Sequence, residues 1–180
     1  FAKDDWNQMG KILNRIKQPT FPDRDFDITN YGAVGDGKTD CTQAFKKAIE
    51  AASIAGGGRV FVPIGKFLTG AIHLKSNINL YLSEGSVVKF SDDPNMYLPA
   101  VYTRWEGVEC MNYSPLIYAR DCTNIAVTGR GKLNGNATTW WDWKSGETKL
   151  GFDMGAKGVP VEQRAAEIIV TPRQHSCTRG

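Results

Sequence analysis

The sequence predicts an all-β domain whose short strands stack turn upon turn as a solenoid, with one helix lying over an end. Two observations carry that prediction. From Gly57 to Phe90 the chain breaks into brief apolar strands: Val60-Phe61-Val62 ends at Pro63, and Phe67-Leu68 ends at Gly70. Ile72 and Leu74 flank His73, Ile78, Leu80 and Leu82 alternate with Asn79 and Tyr81, and Val87-Val88-Lys89-Phe90 follows Gly85. Alternation with a period of two is the mark of a half-buried strand. The second observation is a repeat: Asn77-Ile78-Asn79-Leu80 returns as Asn124-Ile125-Ala126-Val127, each time followed by a glycine and a further apolar strand. A stacked solenoid explains such a repeat, whereas a sandwich would be dominated by hairpin turns.

In order, Trp6, Met9, Leu13 and Ile16 recur at three- and four-residue steps and predict an amphipathic helix within residues 1–20, closed by Pro19 and docked on its own domain. Phe26-Asp27-Ile28 then reads as a strand fragment. The stretch Gly32 to Thr39 satisfies the bare spacing GxxxxGKT of a phosphate-binding loop. No long buried strand feeds it, and no regular strand–helix alternation follows, so a tight turn leading to a helix is the better reading. That helix is expected over residues 39–55, capped by Thr39 or Asp40, with Asp40 and Gln43 resembling a capping box. Its buried face would be Ala44, Phe45, Ala48, Ile49 and Ala52, and Gly56 would stop it. It would cover the solenoid's open end and protect the edge strands. After the strands, Asp92 to Tyr113 reads as a long loop between coils. Residues 121–143 then give a strand (Ile125, Val127), a turn at Gly129-Arg130-Gly131, a second strand at Leu133, the turn dipeptide Asn134-Gly135 and a tryptophan cluster.

Composition narrows the chemistry. At 180 residues, with 41% hydrophobic and 23% charged residues, the chain suffices for one globular domain, and no apolar run approaches a membrane span. The net charge of +3 is spread out, with no basic stripe interleaved with aromatics, so no nucleic-acid partner is expected. Four cysteines without a CxxC pair and only two histidines support neither a zinc site nor a disulfide scaffold, so we expect no metal and no cofactor. The cysteines read as thiols, and His73 as a surface or hydrogen-bonded histidine. Asp92-Asp93-Pro94-Asn95 is a turn composition rather than a catalytic carboxylate pair. The chain begins at Phe1, which reads as a processed or excised product.

Two groups are candidates for binding a saccharide. Arg104, Trp105 and Glu106 lie in the long loop, where a surface ion pair between the arginine and a neighbouring carboxylate is the simpler reading; a resemblance to enzymes acting on an acidic sugar, carried by the residues quoted next, is what implies a carboxylate partner for Arg104. Trp140, Trp141 and Trp143 suit stacking on sugar rings, with structural packing equally open to them.

At this point the residues resemble a known family. Phe26-Asp27-Ile28, the run from Gly32 to Asp40, the helix, Gly56-Gly57-Gly58 and Val60-Phe61-Val62-Pro63 look like the start of right-handed parallel β-helix proteins of the pectate-lyase type. Asn124-Ile125, Val127, Gly129, Gly131, Leu133, Asn134-Gly135 and Trp140-Trp141 resemble the NIxIxGxGxIDGxGxxWW segment of family 28 glycoside hydrolases, the polygalacturonases. Asn134 stands where that family more often has aspartate. TRWEG and NYSPLIYA, between Leu98 and Tyr118, look like the bacterial branch containing exo-acting enzymes.

The resemblance implies hydrolysis of α-glycosidic bonds in pectin (galacturonan) with inversion, acting on pectic polysaccharide or oligogalacturonide in a secreted or periplasmic setting. The family's catalytic groups sit in NTD, GDD, GHG and RIK motifs on later coils; NTD, GDD and GHG do not occur in this chain, and its one RIK string, Arg15-Ile16-Lys17, precedes the first strand. No catalytic residue is therefore assigned, and the chain by itself is expected to be inactive. Residues 21–163 are expected to form the N-terminal part of the β-helix, while residues 164–180 are an atypical tail suggesting truncation or a frame shift. The alternative reading is a non-catalytic β-helix module for carbohydrate binding or assembly. Oligomeric state is not set by the sequence.

Overall fold

The computed structural model describes residues 6, 8–105, 108–138, 140 and 159–163. The strands are β1 (Asp25–Asp27), β2 (Asp36–Asp40), β3 (Gly58–Val62), β4 (Gly65–Thr69), β5 (Ile72–His73), β6 (Ile78–Leu82), β7 (Ser86–Phe90), β8 (Val101–Trp105), β9 (Val108–Asn112), β10 (Ile117–Tyr118), β11 (Ala126–Gly129) and β12 (Lys132–Asn134). They form one four-stranded sheet in the order β1-β3-β6-β11, a second in the order β2-β4-β7-β12, and a pair β5-β10. All of these pairings are parallel, while β8 and β9 form an antiparallel arm. Successive coils thus lay β3, β4 and β5 beneath β6, β7 and β10, and those beneath β11 and β12. This is a right-handed parallel β-helix.

Register explains the stacking. In one sheet Val60, Leu80 and Val127 fall in a single column, and in the next Phe67, Val88 and Leu133 do so. The inner strands β3, β6 and β7 alternate strictly between buried and half-buried residues, as a two-residue period requires when one face meets the core. The Asn repeat proves to be a corner ladder. Asn77 and Asn124 both adopt left-handed backbone conformations, at φ 64° and 54°, which asparagine tolerates better than most residues. The Asn124 amide donates to Asn77 Oδ1 at 3.0 Å, stacking one turn upon the next. The same amide donates to the Thr20 carbonyl at 2.7 Å, and Asn124 Oδ1 accepts from the Thr20 N–H at 3.1 Å. The segment before β1 is therefore pinned across the corners of later coils. Gly129 ends β11 at φ 104°, with Leu82 O only 2.0 Å from where a Cβ would lie, so the turn requires glycine.

Helix α2 spans Thr42–Ile54 and buries Ala44, Phe45, Ala48, Ile49 and Ala52 against the core that holds Val60, Val62, Phe67 and Leu80. It starts later than the sequence suggests because residues 36–40 are drawn into β2 against β4, and the Cys41 N–H continues that pairing to Leu68 O at 2.8 Å. Asp40 still serves the helix start, accepting from the Thr42 N–H at 2.8 Å, and Thr42 Oγ1 in turn accepts from Gly70 N–H at 2.8 Å. The capping box with Gln43 is not formed, since the helix-start residue is Cys41, whose side chain makes no capping bond.

Two further expectations change. Among the described residues the N-terminal helix α1 is Met9–Leu13, with Trp6 also helical, and it is not docked: Trp6, Met9, Ile12, Leu13 and Ile16 are all exposed. Five residues are too few to hold a helix by themselves, and the apolar face meets no surface among the described residues. The stretch 92–113 is not a plain loop. It contains a 3-10 turn at Pro94–Tyr97 and then the β8–β9 arm, whose first run, VYTRW, is rich in β-branched and aromatic residues and pairs with VECMN.

Candidate functional site

Parallel pairing of β5 with β10 sets Ile72 beside Ile117 and His73 beside Tyr118. Ile72 is buried and His73 exposed, so His73 and Tyr118 share the outer face of this sheet. Their rings lie 5.2 Å apart and tilted by 55°. His73 Nε2 is 2.9 Å from Ser114 Oγ, and the Ser114 hydroxyl donates to the Pro115 carbonyl at 3.0 Å. With that proton committed to Pro115, the imidazole acts as donor at Nε2. Burial, and then the charge of Lys46, lowers the His73 pKa and favours the neutral ring. This pair is arranged for hydrogen bonding and not for nucleophile activation, because a catalytic base must accept the serine proton.

The β8–β9 arm leans over the same face. The Tyr118 hydroxyl donates to the Tyr102 carbonyl at 2.8 Å, tying arm to sheet. The Tyr102 phenol is hydrogen-bonded to Glu109, which raises its pKa. The Arg120 guanidinium sits over the Tyr102 ring, 4.1 Å from its centroid, and Arg120 Nε lies 3.4 Å from Asp121 Oδ2. Lys75, two residues beyond His73 on the same alternation, is also exposed.

The sequence-derived candidates divide between places. Arg104 is exposed on β8, in cross-strand register with Glu109, which matches the ion-pair use of that residue as well as a sugar contact. Trp105 closes β8 opposite Val108. Glu106, Trp141 and Trp143 lie outside the described residues. Trp140 is half-buried, edge-on to Tyr97 at 5.2 Å and to Tyr113 at 6.4 Å, so the packing role is the one the geometry displays. Sequence reasoning passed over Tyr102, Tyr118 and Arg120. The signal for the last two was available: LIYAR set against AIHLK puts Tyr118 with His73 and Arg120 with Lys75 on one outward row.

Most carboxylates of the described residues have local structural partners. Asp25 forms a two-point fork with Arg59 at 2.6 Å. Asp27, Asp40 and Asp93 accept from backbone N–H groups two residues on. Asp36 accepts from the Lys38 and Thr39 N–H groups, both at 2.8 Å, and these bonds pull its pKa down to about 2. The amides that a phosphate would need in the glycine-rich stretch are thus already taken by an anion of the chain itself, which removes the nucleotide reading. Among the described residues Cys41 and Cys122 are free thiols.

The family model described as "Rhamnogalacturonase A/epimerase, pectate lyase-like" matches residues 26–87. Among solved structures, a hyperthermoactive exopolygalacturonase from Thermotoga maritima is 47% identical and superposes with a TM-score of 0.81 over 87% of this chain and 38% of its own. The exo-poly-alpha-D-galacturonosidase of Dickeya chrysanthemi is 38% identical over 61% of this chain and 19% of its own length. Over most of its length the chain is similar to exo-acting polygalacturonases. Plasmin and fibronectin-binding protein A of Streptococcus pneumoniae is 42% identical over 57% of this chain and 16% of its own length. The chain spans less than half the length of each of these relatives.

Proposed function

We propose that this chain forms the leading coils of a glycosidase that hydrolyses galacturonan with inversion, acting from chain ends in a secreted or periplasmic setting. The likeness to the Thermotoga exopolygalacturonase over nearly the whole described chain is the observation that carries the reading. Inversion needs one carboxylic acid to protonate the leaving oxygen and a carboxylate about 6.5–9.5 Å away to activate water on the opposite face. The carboxylates ordered in these coils serve turns, caps and ion pairs, the sequence holds no NTD, GDD or GHG motif, and its one RIK string, Arg15-Ile16-Lys17, lies before the coils. In this proposal the acid and base belong to coils outside this sequence. The present coils supply scaffold and part of the substrate surface, for which the candidate residues are Arg104, Trp105, Glu106, Trp140, Trp141 and Trp143.

A second reading, a non-catalytic module that binds carbohydrate or takes part in assembly, is favoured by the likeness to the pneumococcal binding protein. Sequencing the gene beyond the codon for Gly180 separates the two. A continuation encoding NTD and GDD supports the hydrolase, and a gene without them supports the binding module.

A further inference from the structure

The outer face of β5 and β10 holds one cation in an arrangement its fold does not need. Arg120 is exposed, its guanidinium carbon lies 4.1 Å from the Tyr102 ring centroid, and Asp121 Oδ2 approaches its Nε at 3.4 Å. Among the described residues neither terminal nitrogen of Arg120 has a hydrogen-bond acceptor, although an arginine used for structure ordinarily spends those donors on carbonyls or a carboxylate. Arg59 shows that ordinary use, with its fork closed on Asp25 at 2.6 Å. The stacking partner of Arg120 is itself fixed at both ends: Tyr118 bonds the Tyr102 carbonyl at 2.8 Å, and Glu109 bonds its phenol. A guanidinium held over an aromatic ring, with its terminal nitrogens open, can offer two parallel bonds to a carboxylate. The surroundings match. Tyr118 and His73 present rings on the same face, 5.2 Å apart, and Lys75 and Arg104 are exposed cations of the same region.

We propose that Arg120 binds the carboxylate of a hexuronate ring through its terminal nitrogens, with Tyr102 as the positioning residue that holds the guanidinium and Tyr118 and His73 flanking the sugar. This deepens the polygalacturonase reading and rests on it, because that reading makes the incoming carboxylate one borne by a sugar.

Calorimetric titration of the 180-residue chain with trigalacturonate, and with galactotriose as the neutral counterpart, tests the assignment. The wild-type chain binds trigalacturonate. Arg120→Gln weakens that binding by roughly ten- to hundredfold, the worth of a charge-assisted hydrogen bond expressed as affinity. Galactotriose binding is the same in both proteins. Arg120→Lys keeps a cation over Tyr102 but loses the planar fork, and weakens trigalacturonate several-fold, which preserves the test should the glutamine variant fail to fold. Tyr102→Ala weakens trigalacturonate while Tyr102→Phe, which retains the ring face, does so less. Equal trigalacturonate binding by wild type, Arg120→Gln and Arg120→Lys overturns the assignment of Arg120 alone. A wild-type chain that does not bind trigalacturonate overturns this assignment together with the contribution of these coils to galacturonan binding.

Discussion

Leu80 and Val127 occupy the same column of the same sheet one coil apart, yet Leu80 is fully sealed and Val127 is 42% exposed. Val88 and Leu133 repeat the contrast in the neighbouring sheet, at 0% and 46%. The side chains differ little in character, so the difference lies in their neighbours. Leu80 has Val60 on one side and Val127 on the other, whereas Val127 has only Leu80 among the described residues. In a stacked fold each coil's inward row is buried by the coils beside it, and stability is close to a sum of such nearest-neighbour terms. The helix-capped end shows the same rule from the opposite direction. There α2 supplies Phe45, Ala48 and Ile49 in place of a preceding coil, and the core beneath it is sealed.

The largest effect that could break this comparison is in the middle coil. Leu80→Ala removes a side chain enclosed from both sides and should cost about 2–5 kcal/mol, read from the urea midpoint. A loss under about 1 kcal/mol would mean that the column is not the packed core described. Next is the corner that joins coils through polar atoms. Asn124→Ala forfeits its bonds to Thr20 and Asn77 and places alanine at φ 54°, so a loss of about 2–3 kcal/mol is expected. Asn124→Gly, which accepts that backbone conformation, should recover part of it, and equal losses would show that the backbone conformation contributes little.

A smaller effect lies in β2, a mostly exposed strand held by polar bonds where the inner strands use apolar burial. The folded Asp36 carboxyl sits at about 2, below its ordinary 3.8. A lowered value means that the bonds stabilise the fold fully above the ordinary value and lose their effect as pH falls from there through about 2. Melting temperature should therefore fall across that window more steeply in the wild type than in Asp36→Asn, and parallel curves would detach β2 from this account. The smallest effect sharpens the contrast directly. Val127→Ala should cost about 1 kcal/mol or less, since a half-exposed methyl pair has little to lose. A cost matching that of Leu80→Ala would show that the last column is covered after all.

Much of the scaffold was legible in the sequence because each inward row obeys a strict two-residue period and because the repeated asparagine marks the same corner in successive coils. The arm formed by β8 and β9 was missed although VYTRW and VECMN carry strand-forming residues. Its two strands pair with each other and leave the coil, so no period shared with the other strands announced them. The N-terminal helix was over-read from a periodicity that meets no packing surface. The binding face was half legible. Arg104 could be singled out as a cation among aromatics, but the stacking of Arg120 on Tyr102 arises only when the arm folds back over β10, which no local pattern encodes. The alternation that turns Tyr118 and Arg120 outward was present, and aligning the two coils would have exposed it.

The central proposal is that these coils would bind and frame a galacturonan without performing the chemistry. Reducing-sugar release from polygalacturonate by the purified 180-residue chain tests it most directly. The account predicts release no faster than the buffer blank for the wild type. Release well above the blank that is lost in Arg104→Ala would contradict it, because the chemistry would then reside within this chain.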